Sequence, residues 1–442
     1  MTISARFAAL LGQGEPFLLS CPHPNSNEED KKMANTNRSA HKDTDYSFES
    51  VPKKSRKGFW SMFVIMLGFT FFSASMSVGA KMGNGLDLSG FIWAVLIGGA
   101  ILAAYTGTLG FIGSKSGLSF DLLAQRSFGK FGSYLPSAMI SFTQIGWFGV
   151  GVAMFALPAA EVLHISPVIL VAIAGICMTA SAYFGIRGME IVSYVSVPLI
   201  AILGVYSMLL ATSQGGGLAS VFAKNSGAVG LLAAVGMVVG SFVSGGTATP
   251  NFTRFAKSNK VAVITTVIAF FVGNTLMFAF GAVGGAFTGK DDIFYVMLAQ
   301  GLIVPALIVL GANIWTTNDN ALYTSGLGLA NITKVRKRPM VLVAGVIGTV
   351  TAIWLYNNFV SWLSFLNATL PPVGALVILD YFLHPEKYAE DYEVKETVNY
   401  GSCLGVVAGA LVGNFVPWGI ASINAMAAAC ICYLIYNKVI RK

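Results

Sequence analysis

Residues 311–326 read GANIWTTNDNALYTSG, a polar run at the end of a long apolar stretch. On a helix, Asn313, Thr316, Thr317 and Asn320 fall at i, i+3, i+4 and i+7 and share one face. Hydroxyl and carbonyl oxygens without a full negative charge suit a hard monovalent cation such as sodium, provided that loosened main-chain carbonyls complete its shell. Interhelical hydrogen bonding is the plainer use of such a stripe. Asp319 stands apart: an ionisable group inside a span points to function, such as proton transfer, unless it pairs or caps near the helix end.

A second constellation lies in TQIGWFGVG, where Gln144 and Trp147 sit at i and i+3. An amide that both donates and accepts, beside a broad aromatic face, fits a flat heterocycle stacked on the ring and read along its edge. Phe242 offers an opposing plate, with Ser241 and Ser244 as further polar contacts. Ordinary helix packing would use the same residue types.

Both constellations need loosened backbone to complete them. GFTFFSAS (68–75) and GSFVSGG (240–246) each combine glycine, serine and phenylalanine at mid-span depth, and both are expected to unwind locally. They lie five spans apart, so the second enters the bilayer from the opposite side, as in inverted-repeat transporters. The glycine ladder Gly401, Gly405, Gly409 and Gly413 instead reads as close helix packing.

The elements that must position these groups are membrane helices. The 442-residue chain is 55% hydrophobic and 11% charged, well below the roughly 25% charge of a soluble domain. Apolar blocks of about 20 residues predict helical spans rather than the alternation of a β-barrel. Twelve are expected, at 59–80, 91–112, 135–157, 166–184, 191–211, 229–250, 261–283, 301–325, 340–355, 359–382, 401–416 and 419–436. Alternate sides of these spans carry 20 and 3 Lys and Arg residues, an asymmetry that predicts both termini in the cytoplasm. The net charge of +8 therefore reports orientation and not a nucleic-acid partner.

Residues 1–57 are polar and expected to be disordered, and Met33 opens a plausible shorter chain that would make 1–32 an over-extended start. The five cysteines lack metal-ligand spacing, and the four histidines lie outside the spans, so no cofactor is expected. Neither paired catalytic carboxylates nor a phosphate-binding loop occurs within the spans, which argues against a membrane enzyme or an ATP-driven pump. A channel is less readily excluded.

The stretches MLGFTFFSASM, TQIGWFGVGVAMFA, VVGSFVSGGT, GANIWTTNDNALYTSGLG and WLYNNFVSWLSFL resemble the nucleobase-cation symporter-1 family, from about Lys57 to the last span. The resemblance implies an all-α polytopic protein of twelve transmembrane helices in the bacterial cytoplasmic membrane. Its core, 58–383, would be a five-plus-five inverted repeat of the LeuT-like kind (58–211 and 229–383), followed by two additional helices over 400–437. It implies import of cytosine with sodium and assigns Asp319 no role; the alternative within the transporter reading is uptake of a related ring such as uracil, hydantoin or allantoin, coupled to protons through Asp319. Trp147 and Phe242 would sandwich the base, and Gln144, Ser241, Ser244 and Asn313 would contact its edge. Sodium would take carbonyls near Gly68, Phe72 and Asn313 and the hydroxyls of Thr316 and Thr317.

Overall fold

A computed structural model describes residues 46–184, 186–389 and 391–439. Most of the expected disordered segment, and the start at Met33 with it, lies outside the described residues. Its last stretch, 46–57, is packed: Val51 is buried and its N–H donates to Gly117 O at 2.9 Å.

Each expected span coincides with helix. The first is divided into α1 (Phe59–Thr70) and α2 (Ser73–Gly85), bent by 50°. Then follow α3 (Leu88–Ser116), a short α4 (Phe120–Phe128), α5 (Tyr134–Leu163), α6 (Pro167–Ala182) and α7 (Ile186–Gln214). After these come α8 (Leu231–Thr247), α9 (Asn259–Thr288), α10 (Gly311–Thr333) and α11 (Lys337–Asn357). The tenth span is α12 (Phe359–Thr369) with α13 (Pro371–Leu383), and the chain continues through α14 (Tyr400–Phe415) and α15 (Ala421–Val439). By length and hydropathy alone, six helical stretches among the described residues can cross a membrane, or seven if the bent α1–α2 pair is one span.

Local chemistry explains the boundaries. Asp87 caps α3 by accepting from Gly90 N at 2.8 Å, and Gly117 ends it in the left-handed conformation that glycine adopts without strain. Ser119 caps α4. Two π-helical turns, Ile268–Gly273 within α9 and Ala306–Leu310 just before α10, widen the backbone beside the polar segments.

The burial pattern is that of a membrane protein. Large apolar side chains such as Ile176, Ile202, Val350 and Phe415 stand exposed on outer helix faces, while Thr70, Gln144, Asn313, Thr316 and Asp319 are buried. Helix approach is close: a Cβ on Gly281 of α9 would lie 1.7 Å from Met76 O of α2. The glycine ladder of α14 packs as expected, with Gly409 against Ala425 O and Gly413 against Ala368 O.

One expectation fails. Residues 240–246 do not unwind, because α8 runs unbroken to Thr247. Ser241 and Thr247 turn their hydroxyls back onto Val238 O and Val243 O, and Gly240 and Gly245 let α8 approach α12 and the Phe69 ring. The interruption comes at Ala248–Thr249, ahead of Pro250, where the hydrogen bonds tighten from i→i+4 to i→i+3.

Candidate functional site

The break in the first span exposes main-chain groups at Phe71 and Phe72, whose backbone is non-helical. Asn313 binds the groups that flank Phe72. Its Nδ2 donates to Phe71 O, and its Oδ1 accepts from Ser73 N at 2.9 Å and from Ser73 Oγ at 2.8 Å. The Asn313 side chain thus holds α10 to the break and does not line the neighbouring cavity.

That cavity lies where α1, α5, α8 and α10 converge. Gln144, Trp147, Ser241, Phe242, Phe72 and Thr317 line it, together with Phe69, Gly245, Asn318 and Ala321. Trp147 meets Phe72 and Phe359 edge-on at centroid distances of 5.8 and 6.0 Å. Phe242 is held edge-on by Phe69 and Phe270, each at 5.5 Å. Gln144 Nε2 donates to Ser244 Oγ at 2.7 Å, and Ser244 also pairs with Thr143, so Ser244 lies behind the wall. None of the lining residues is charged. The volume is only about 20 Å³, room for one water molecule, so a heterocycle requires these rings to part. A larger hollow of about 490 Å³ between α8, α12 and residues 416–421 lies away from the broken helix.

The expected cation region is assembled from three helices. A Cβ on Gly68 would lie 2.2 Å from Ser193 Oγ of α7 and 3.4 Å from Thr316 Cγ2, so only glycine permits this approach. Thr316 Oγ1 shares a hydrogen bond with Ser196 Oγ at 2.7 Å and reaches Ala312 O; Thr317 Oγ1 reaches Asn313 O at 3.4 Å. Ser193 and Ser196 were missed from sequence, although their i, i+3 spacing on an apolar helix was an available signal. Asn320 donates to Thr316 O. Asp319 lies in the middle of α10, not near a helix end, because α10 continues to Thr333; it accepts from Ser181 Oγ at 2.6 Å and caps nothing.

Aromatic and polar contacts lie between Phe69 of the cavity wall and the basic Arg254. Phe252 packs between Phe69 (4.8 Å) and Tyr323 (6.0 Å), and buried Arg254 donates to Tyr323 OH at 3.0 Å and to Tyr46 O at 2.8 Å. Beside them Asp121 accepts from Ser137 Oγ at 2.6 Å. Burial pushes its carboxyl up to about 6 against the opposing effects of Ser137 and Arg254. At the other end Tyr356 donates to Asp292 at 3.0 Å, and burial raises that carboxyl as well.

Residues 50–436 match the family described as permease for cytosine/purines, uracil, thiamine, allantoin. The chain belongs to this permease family. Among its relatives in the family, a cytosine permease of Escherichia coli (strain K12) is 47% identical over 402 residues, covering 90% of this chain and 96% of that one. Purine-uracil permease NCS1 of Arabidopsis thaliana is 26% identical over 341 residues, 65% of this chain and 54% of that one. The fold is similar to Mhp1, a nucleobase-cation-symport-1 family transporter solved in a closed conformation with bromovinylhydantoin bound. The TM-score is 0.74 at 18% identity, covering 89% and 94% of the two chains. A Na+-coupled sialic acid symporter in a substrate-bound outward-open state gives a TM-score of 0.68 at 14% identity, covering 87% and 90%. Membership in the nucleobase-cation symporter-1 family, expected from the motifs, is thereby established, as is an all-α, polytopic, LeuT-like transporter fold.

Proposed function

We propose that this permease imports cytosine by sodium-coupled symport with alternating access. The observation that carries the reading is the uncharged cavity beside the broken first span, with Trp147, Phe242 and Gln144 all on its walls. A neutral planar base needs no counter-ion, and stacking with a few hydrogen bonds supplies its recognition. The 47% identity to a cytosine permease favours cytosine within the wider family range.

Sodium would occupy the junction of α1 and α10, held by carbonyls near Gly68, Phe72 and Asn313 and by the hydroxyls of Thr316 and Thr317. Two features support this: the broken backbone at Phe71 and Phe72 and the approach of Gly68 to Thr316. Parting of the aromatic cluster would admit the base, and closure over both ligands would join α1 to α10. The coupling is reciprocal: sodium tightens cytosine by the factor with which cytosine tightens sodium. The twelve-span count, the repeats 58–211 and 229–383, and placement in a bacterial cytoplasmic membrane with both termini inside belong to the same reading. The cluster of Lys57, Arg126, Arg254 and Lys387 at one end, opposite Lys81 and Lys290, supports the orientation.

The test is thermal stabilisation of the purified protein by a panel of nucleobases with and without sodium. Cytosine should stabilise most, and more strongly in sodium than in potassium. A second reading, proton coupling, is favoured by Asp319, a buried carboxyl whose hydrogen bond comes from a serine and not from a cation. Uptake unaffected by replacing sodium with potassium, yet abolished by collapsing the proton gradient, would select it.

A further inference from the structure

Gln144 carries a donor and an acceptor at the two ends of one amide, and a half-turn about its last bond exchanges them. Which end meets a ligand decides what that ligand must carry. Counting protons behind the cavity wall fixes the choice. Thr143, one residue earlier on α5, has its Oγ1 2.9 Å from Ile140 O and 2.7 Å from Ser244 Oγ of α8. A carbonyl has no proton to give, so the single hydroxyl hydrogen of Thr143 goes to Ile140 O. In its pair with Ser244, Thr143 then accepts and Ser244 donates. The hydroxyl hydrogen of Ser244 is thereby used, and toward Gln144, 2.7 Å away, Ser244 can only accept. Gln144 must therefore present its amino group, Nε2, to Ser244. Thr143 is 1% exposed and Ser244 0%, which leaves solvent no access to the relay.

With Nε2 committed, the carbonyl Oε1 is the end of Gln144 left for the cavity that this residue lines. An acceptor pairs with an N–H and repels a carbonyl. We propose that Thr143, acting through Ser244, fixes the Gln144 amide with Oε1 toward the bound ring, so that the site selects a base bearing an amino group at that edge over one bearing a carbonyl. Thr143 is a positioning residue, since it does not line the cavity itself. The inference rests on this cavity being the base site and deepens that reading: selectivity comes from repulsion of the oxo-substituted ring as well as attraction of the amino-substituted one.

The experiment measures binding of three rings to the purified full-length chain by titration calorimetry: cytosine, pyrimidin-2-one, which lacks only the amino group, and uracil, which carries a carbonyl in its place. Wild type should bind them in that order, each step weakening affinity about tenfold, first for a lost hydrogen bond and then for two acceptors face to face. In T143V the hydroxyl of Ser244 is released to donate to Oε1, and the amide can turn. The preference for cytosine over uracil should then fall about tenfold, chiefly through tighter uracil binding. T143S keeps the hydroxyl and should keep the wild-type preference. A mere packing role for Thr143 would instead lower all three affinities together and leave their ratios unchanged. If T143V fails to fold, the wild-type order decides. Uracil binding as tightly as pyrimidin-2-one, an unchanged ratio in T143V, or T143S behaving like T143V would overturn the proposal. Failure of the cavity as the base site would show separately, as cytosine affinity unchanged in Trp147→Ala, and would overturn the proposal with it.

Discussion

Replacing Asn313 with alanine tests whether the break in the first span is held from α10. The side chain is 1% exposed and makes three hydrogen bonds to Phe71 and Ser73. Its loss strands the Phe71 carbonyl and the Ser73 N–H in a buried setting, where each unmade bond costs about 1–3 kcal/mol. Water entering the space left by the amide offsets part of this, leaving a net loss of about 2–4 kcal/mol. At about 2 °C per kcal/mol for a large chain, the apparent melting temperature should fall by roughly 4–8 °C. Differential scanning fluorimetry in detergent reads that shift. Asn313→Asp separates the donor from the acceptor: it can still accept from Ser73 but turns an oxygen toward Phe71 O. It should be destabilised to a similar degree without sodium and recover in part when sodium is added, if the cation lies by these carbonyls. A melting temperature of Asn313→Ala within about 1 °C of wild type would show that the break is self-supporting and that the reasoning from these bonds is wrong.

Trp147→Ala should weaken cytosine binding by about 1–3 kcal/mol, the usual loss of a stacking partner, and titration calorimetry showing unchanged affinity would remove Trp147 from the site. Gly281→Ala, whose Cβ would meet Met76 O at 1.7 Å, should abolish accumulation of folded protein; Gly230→Ala, with no heavy atom within 4 Å, should accumulate normally. Asp121 titrates higher in the folded protein than its ordinary 3.8, so its contribution is fully present below that value and is lost as pH rises through about 6. The loss is on the order of 3 kcal/mol. Asp121→Asn should flatten the melting profile across this window, and parallel profiles for variant and wild type would count against a buried, protonatable carboxyl.

Much of the site was legible because its residues announce themselves against hydrocarbon. Gly68–Ser75 breaks where glycine, serine and phenylalanine coincide, and Gln144, Trp147, Ser241 and Phe242 reach one cavity from two helices. The similar composition of 240–246 misled, since glycine serves close packing as readily as unwinding; the break there follows Pro250, whose effect falls on the residues before it. The i, i+3 spacing of Ser193 and Ser196 marks them as a polar pair on an apolar helix, but their place at the junction depends on α7 meeting Gly68 and Thr316 across the fold, which that spacing does not reveal. Asn313 was legible as a polar residue of the junction. The direction of its side chain, toward the loosened strand and not the cavity, depended on which unpaired groups lay nearest.

Lys57, just before α1, and Ala256, just after α8, form a parallel bridge in which Lys57 N donates to Phe255 O and Lys257 N to Lys57 O. The two interrupted spans are therefore stitched together at their basic ends by main chain, which side-chain repacking cannot loosen. Any movement that opens this end must either swing both spans as one lever or unpick two peptide hydrogen bonds first. The first course makes the pair a single moving part, hinged where Phe71 and Ala248 leave the helix.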